Sequence, residues 1–300
     1  MAVVGWIGLG NMGGPMSANM VKAGHDVRGF DLSPQALKAA EQAGVHVVGS
    51  IVEAVQGADV VFTMLPKGEH ARAVYLSDDG VLAHADTSTL LVDSSTIDIE
   101  SAQALHDAAA AGGFRFVDAP VSGGISGAEA GTLTFMIGGE PGAVSDAGAF
   151  IEPMSGNIIP TGGATTGQAA KICNNLMLFI DLAGVSEGAV LAERLGLDPQ
   201  VFWDIASVSS GDSWALRTWY PVEGIVPTAA ANNDFAPTFT AELAKKDIGL
   251  AVAAARATET PLEVGEHVMQ MFQRVIDAGQ ARKDCSIIVK LVDGTLQPTA

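Results

Sequence analysis

The six residues Gly8-Leu9-Gly10-Asn11-Met12-Gly13 constrain this chain more than any other feature. They form a G-x-G-x-x-G set between an apolar run, residues 3–9, and a segment of helical spacing, 12–23, that closes at Gly24. Residues 26–30 resume as a strand ending at Asp31, so the opening reads as a βαβ unit. In that context the backbone amides of the turn and the helix dipole can hold a pyrophosphate, and a ligand-free glycine turn is the weaker reading. Asp31 follows the motif at about 20 residues, where a carboxylate accepts hydrogen bonds from the adenosine ribose hydroxyls and repels a 2′-phosphate. No arginine stands in Leu32-Ser33-Pro34, so the expected cofactor is NAD rather than NADP, with Asp31 as a plain turn residue the alternative.

The alternation continues. Ser33 and Pro34 read as N-cap and first residue of a helix to about Ala43, and Ser50 with Glu53 as a capping box. Strands are expected near 59–64, 90–93, 114–118, 132–137 and 157–160, with helices at about 100–111 and 141–150. From Thr165 to about Leu195 one helical stretch of roughly 30 residues would span about 45 Å, long enough to link two domains. Beyond Gly196 only helix signals appear, at 199–207, 240–257 and 261–278. The expected fold is therefore α/β: an N-terminal Rossmann-type doubly wound sheet over residues 1–162, followed by an all-α domain, 163–300, joined through the long interdomain helix at about 165–195.

Composition narrows the partners. Sixteen basic against 34 acidic residues give a net charge of −18, which repels nucleic acid and anionic lipid. The longest apolar region, about 176–192, is interrupted by Asp181 and Glu187, so no membrane span is expected there, and the opening residues lack the marks of a signal peptide. Cys173 and Cys285 form no ligand or redox spacing, so reduced thiols and a cytoplasmic setting are expected. The six histidines are scattered, and no metal site is expected. There is no G-x-S-x-G elbow and no G-x-x-x-x-G-K-[ST] loop, which leaves hydride chemistry.

Several segments could carry it. Leu65-Pro66 and Ser94-Ser95-Thr96 fall at the carboxyl edge of the expected sheet, where open α/β sheets bind ligands. Asp118-Ala-Pro-Val-Ser122-Gly123-Gly124 offers a hydroxyl and backbone donors to a carboxylate; in isolation it reads equally well as a structural turn. Lys171, Asn174 and Asn175 project from one face of the long helix. Either they form a solvated polar stripe, or Lys171 faces an interdomain cleft where desolvation lowers its pKa toward that of a general acid or base, with Asn175 positioning it. Lys245-Lys246-Asp247 could reach toward nicotinamide or a carboxylate, or be a surface ion pair.

Taken together, GLGNMGGPM (8–16), FDL (30–32), MLP (64–66), DSSTI (93–97), DAPVSGG (118–124), GQAAKICNN (167–175) and KKDIGLA (245–251) resemble the β-hydroxyacid dehydrogenase family, within it the 3-hydroxyisobutyrate dehydrogenases, over nearly the whole chain. The resemblance implies NAD-dependent oxidation of a small 3-hydroxy acid with Lys171 as the catalytic lysine. It implies Ser122, Gly123, Gly124 and Asn175 on the substrate, Leu65, Pro66, Thr96 and Lys246 on the cofactor side, and Asp247 orienting its neighbours. The segment Ser209–Trp214 resembles a stretch that closes over small substrates, which adds Trp214; Asp212 departs from the neutral residue expected there. A phosphorylated substrate of the 6-phosphogluconate type is disfavoured, because the basic-poor helical half supplies no cation cluster. A tartronate semialdehyde reductase, a catalytically silent NAD sensor and an imine reductase are the rivals; a homodimer or homotetramer is expected.

Overall fold

The computed structural model describes residues 1–297, which divide into two compact units, Met1–Lys171 and the chain from Ile172 onward. The first unit holds one sheet of nine strands: β1 (Val3–Ile7), β2 (Asp26–Phe30), β3 (His46–Val47), β4 (Val60–Thr63), β5 (Leu90–Asp93), β6 (Arg115–Asp118), β7 (Val121–Ser122), β8 (Leu133–Gly139) and β9 (Ser155–Gly162). Their order is β3-β2-β1-β4-β5-β6-β8-β7, with β9 on β8. The first six are parallel; β8 runs antiparallel to β6 and β7.

Parallel strands are covered on both faces, and β4 and β5 are buried at every position. Alternate residues feed two cores. Trp6, Val60, Phe62, Leu90, Val92 and Val117 enter one; Ile7, Val61, Leu91 and Phe116 enter the other. The stack of Trp6 on Phe62, 5.0 Å between ring centroids, fills the centre of the first.

Strand register brings separated loops to one edge. Ile7 pairs with Phe30 and Thr63, Thr63 with Asp93, and Asp93 with Asp118, so five strands end level. The loops leaving β1, β4, β5 and β6 rise along that edge. The order reverses between β1 and β4, the topological switch point where such sheets bind ligands.

Most expected elements are present, and the differences are local. Ser50 Oγ accepts from Glu53 N at 3.2 Å, but Glu53 Oε2 accepts from Gly49 N at 3.0 Å, so the returning bond of the capping box falls one residue earlier than expected. Sequence patterning gives no sign of β3, β7 or the helices Gly68–Leu76, Val81–His84 and Gly124–Ala130. Two-residue strands carry too little periodicity to read, and GISGAEA holds two glycines that disfavour a helix in isolation.

From Ile172 the regular elements are helical. The helix Thr166–Arg194 begins in the first unit and runs on into the second, followed by Pro199–Ala206, Trp214–Thr218, Ala241–Ala257, Glu263–Asp277 and Val289–Asp293. By length and composition alone the long helix would pass as a membrane span; its residues Phe179, Leu182, Ala183 and Val190 belong to the core of the second unit, with Ile248, Val268 and Phe272.

Candidate active site

At the glycine turn each glycine meets a different demand. Gly8 has φ +95°, and a Cβ there would drive into the Met64 carbonyl. A Cβ on Gly13 would strike the Gly8 carbonyl and lie 3.0 Å from Trp6 Nε1, so the helix start packs on the strand only without a side chain. A Cβ on Gly10 would meet nothing within 4 Å: its backbone faces open space. Leu9 N donates to Asp31 Oδ2 at 2.7 Å and Ser33 N to Oδ1 at 2.7 Å, so Asp31 ties the turn to the loop after β2. Leu9, Gly10, Asn11, Asp31, Ser33 and Gln35 border a cleft of about 670 Å³. The open approach at Gly10, with no side chain capping the helix Gly13–Lys22, fits a dinucleotide pyrophosphate.

The next two loops are bound to each other. Leu65 N donates to Ser95 Oγ at 2.8 Å, and Ser95 Oγ donates to Asp93 Oδ1 at 2.6 Å. Thr63 Oγ1 donates to the same oxygen at 2.7 Å. This holds Leu65-Pro66 beside the loop that carries Thr96. Among the described residues Asp93 Oδ2 has no hydrogen-bond partner, and burial pushes the Asp93 carboxyl above its usual range. The fold therefore retains a proton that the unfolded chain releases. Its contribution to stability is complete below the ordinary carboxylate pKa of about 3.9 and is lost as pH rises through the elevated folded value. In Asp93→Asn that loss should disappear: urea titrations over a pH series should show a shallower decline of stability above about pH 4 than in the parent, and parallel curves would refute it.

Ser122 lies in β7, half-buried, and Gly123 and Gly124 follow at φ +134° and +65°. The turn conformation itself calls for the glycines, so the structural reading of that segment and the ligand reading coexist.

Lys171 is 8 % exposed and Asn175 2 %, while Asn174 is exposed, so the three do not form a solvated stripe. Within the second unit Asn175 Nδ2 donates to Asp247 Oδ2 at 2.7 Å, and Lys246 Nζ stands 3.1 Å from Asp247 Oδ1. Asn175, Lys246 and Asp247 are thus gathered from two helices. Trp214 packs edge-on against Trp219 at 4.9 Å, half-exposed. Asp212 is gripped by Arg217, with Nε to Oδ1 at 2.6 Å and Nη2 to Oδ2 at 2.8 Å, and the guanidinium holds its carboxyl below the usual range.

Sequence reasoning misses a cluster at the start of the long helix. His106 Nε2 lies 2.8 Å from Asp118 Oδ1, which also accepts from Thr165 N at 3.0 Å; Oδ2 accepts from Gln168 N at 2.8 Å. By spacing alone His106 is one of six scattered histidines. The available signal is an aspartate ending a strand beside a helix that carries a histidine. Among the described residues no group of three or more His, Cys, Asp or Glu side chains could hold a metal ion.

The model of the NAD binding domain of 6-phosphogluconate dehydrogenase matches residues 3–163, and that of the NAD-binding region of NADP-dependent 3-hydroxyisobutyrate dehydrogenase matches 165–292. A probable 3-hydroxyisobutyrate dehydrogenase of Mycobacterium tuberculosis is 46% identical over 96% of this chain and 97% of its own. An NAD-dependent L-serine dehydrogenase of Pseudomonas aeruginosa is 41% identical over 98% of this chain and 99% of its own. The solved structure of the Mycobacterium tuberculosis 3-hydroxyisobutyrate dehydrogenase with L-serine superposes with a TM-score of 0.91 at 46% identity, covering 97% of this chain and 99% of that one. The two family models together span residues 3–292 and these relatives cover nearly the whole chain, as the resemblance implied: the chain belongs to the 3-hydroxyisobutyrate dehydrogenase family and is an NAD-dependent 3-hydroxyacid dehydrogenase.

Proposed function

We propose that the chain oxidises 3-hydroxyisobutyrate to methylmalonate semialdehyde, with Lys171 as general acid/base. The observation that carries this reading is a lysine buried to 8 % exposure on the helix whose first turn is held by Asp118 at the end of β6, in a unit whose carboxyl edge holds the glycine turn. Burial at the ligand edge of an open α/β sheet is a setting in which acid/base groups are found. NAD, when bound, supplies the hydride acceptor, held by Gly8, Leu9, Gly10, Asn11, Met12, Gly13 and Asp31, with Leu65, Pro66, Thr96 and Lys246 on its reactive side. Lys171 in its neutral form takes the hydroxyl proton as the carbinol becomes a carbonyl, and returns it in the reverse direction. Ser122, Gly123 and Gly124 fix the carboxylate; Asn175, Asp247 and Trp214 complete the substrate contacts. The protein's part is orientation and one proton.

A second reading, oxidation of L-serine or a similar short 3-hydroxy acid, is favoured by the serine dehydrogenase relative. Tartronate semialdehyde reduction would use the same groups. NADH formation measured on 3-hydroxyisobutyrate, L-serine and glycerate, with NAD and with NADP, separates them. Expected is the highest kcat/KM on 3-hydroxyisobutyrate, with NAD preferred by at least about tenfold, the equivalent of roughly 1.4 kcal/mol. A higher kcat/KM on serine or glycerate would move the substrate assignment, and parity of the cofactors would remove the role given to Asp31.

The protein's setting in this reading is cytoplasmic, consistent with free thiols at Cys173 and Cys285. Exposed Met177 and Leu191 on the long helix and Leu195 just after it, with Val201 and Ile205 on the next helix, support a homodimer or homotetramer.

A further inference from the structure

Gln168 is fully buried, yet its side chain has no part in the proton and hydride chemistry assigned to Lys171 and NAD. A buried primary amide is retained only where its polar atoms are matched. Here Oε1 accepts from Ile97 N at 3.1 Å and Nε2 donates to Ser95 O at 2.7 Å. These two backbone groups flank Thr96. The amide therefore closes on the loop as a neighbouring strand would, with one acceptor and one donor. Only glutamine has both at this length: asparagine is a methylene shorter, ionised glutamate only accepts, and lysine or arginine only donate.

The same residue is fixed from behind. Its own N–H is held by Asp118 Oδ2, and the other oxygen of that carboxylate takes Thr165 N and His106 Nε2. A Cβ on the preceding Gly167 would stand 2.5 Å from the carbonyls of Asp118 and Met136, so the helix start presses on β6 and β8 with no side chain between. Lys171 comes three residues later on the same helical face, about 4.5 Å along the axis. Ser95 in turn holds Leu65 N. One amide thus couples the Thr96 and Leu65 loops to the turn that carries the lysine.

We infer that Gln168 is a positioning residue for the hydride-transfer reaction, setting where Lys171 stands relative to the Thr96 loop; this rests on Lys171 being the acid/base. Misplacement of a reacting group by about 1 Å costs on the order of 10²-fold in rate.

The test is a four-cornered comparison of kcat, KM for the hydroxy acid and calorimetric NAD affinity in the parent, Lys171→Ala, Gln168→Leu and the double variant. Expected is a loss of about 10²-fold in kcat for Gln168→Leu with KM within about threefold. On the Lys171→Ala background the same substitution should change the residual turnover by less than about threefold, because the group it positions is gone. A full-sized further loss there, or near-normal kcat in Gln168→Leu alone, would overturn the inference and leave the lysine assignment standing. Near-normal turnover in Lys171→Ala would remove both.

If Gln168→Leu does not fold, Gln168→Glu decides. A protonated carboxyl has one donor and one acceptor and reproduces both bonds; an ionised one faces the Ser95 carbonyl with no proton. Asp118 lies behind the backbone, Asp93 beneath Ser95, His106 beyond Asp118, and Lys171 one turn on. The ratio of variant to parent kcat should be near unity at low pH and fall as pH rises. A ratio that stays far below unity even at low pH, where the carboxyl is protonated and can make both bonds, would overturn the inference.

Discussion

Lys171→Ala is expected to lower kcat and kcat/KM together by about 10²- to 10⁴-fold, the range contributed by a positioned acid/base. An interaction made only as the proton moves leaves ground-state binding nearly untouched, so NAD affinity measured by calorimetry should stay within about twofold. A variant with near-normal kcat at saturating substrate would end the assignment. A variant that lost NAD binding as well would make the lysine structural, since 8 % exposure means that its removal leaves a hole.

The second large effect separates two glycines of one motif. Gly13→Val puts a branched side chain into the Gly8 carbonyl, so the helix start must leave the strand. Loss of measurable NAD binding is expected, together with a stability cost of roughly 1–3 kcal/mol or more from overpacking. Gly10→Ala meets no protein atom within 4 Å. Its melting temperature should therefore stay within about 2 °C of the parent, while NAD affinity falls by at least about tenfold, because the methyl stands where the backbone must approach the pyrophosphate. Unchanged NAD affinity in Gly10→Ala would mean that the turn is only a turn.

The parts of this molecule that are legible in its residues are those with local causes. Strands β1, β4, β5 and β8 announce themselves through apolar runs, Ser33-Pro34 marks a helix start, and the long helix emerges within a residue of its ends, Thr166 and Arg194. The short elements are not legible. The helix Gly124–Ala130 exists because Gly123 at φ +134° turns the chain into it and Ala128 packs in the sheet's core, neither of which has a sequence signature. In the candidate site, Asp31 and the glycine turn can be read because spacing alone relates them. His106, Asp118 and Gln168 cannot, because their relation depends on which strand lies beside which.

By itself, then, the order of residues determined the βαβ opening, the change from mixed to helical structure near Thr165, and the family, since each depends on neighbours a few positions apart or on intact motifs. Tertiary structure alone decided that Ile7, Thr63, Asp93 and Asp118 end level, so that four separated loops share one edge, and that Asn175 meets Asp247 from 72 residues away. The reason is physical: a strand's apolar run says that it will be buried, but register and partner are chosen by backbone hydrogen bonds and packing among all strands at once.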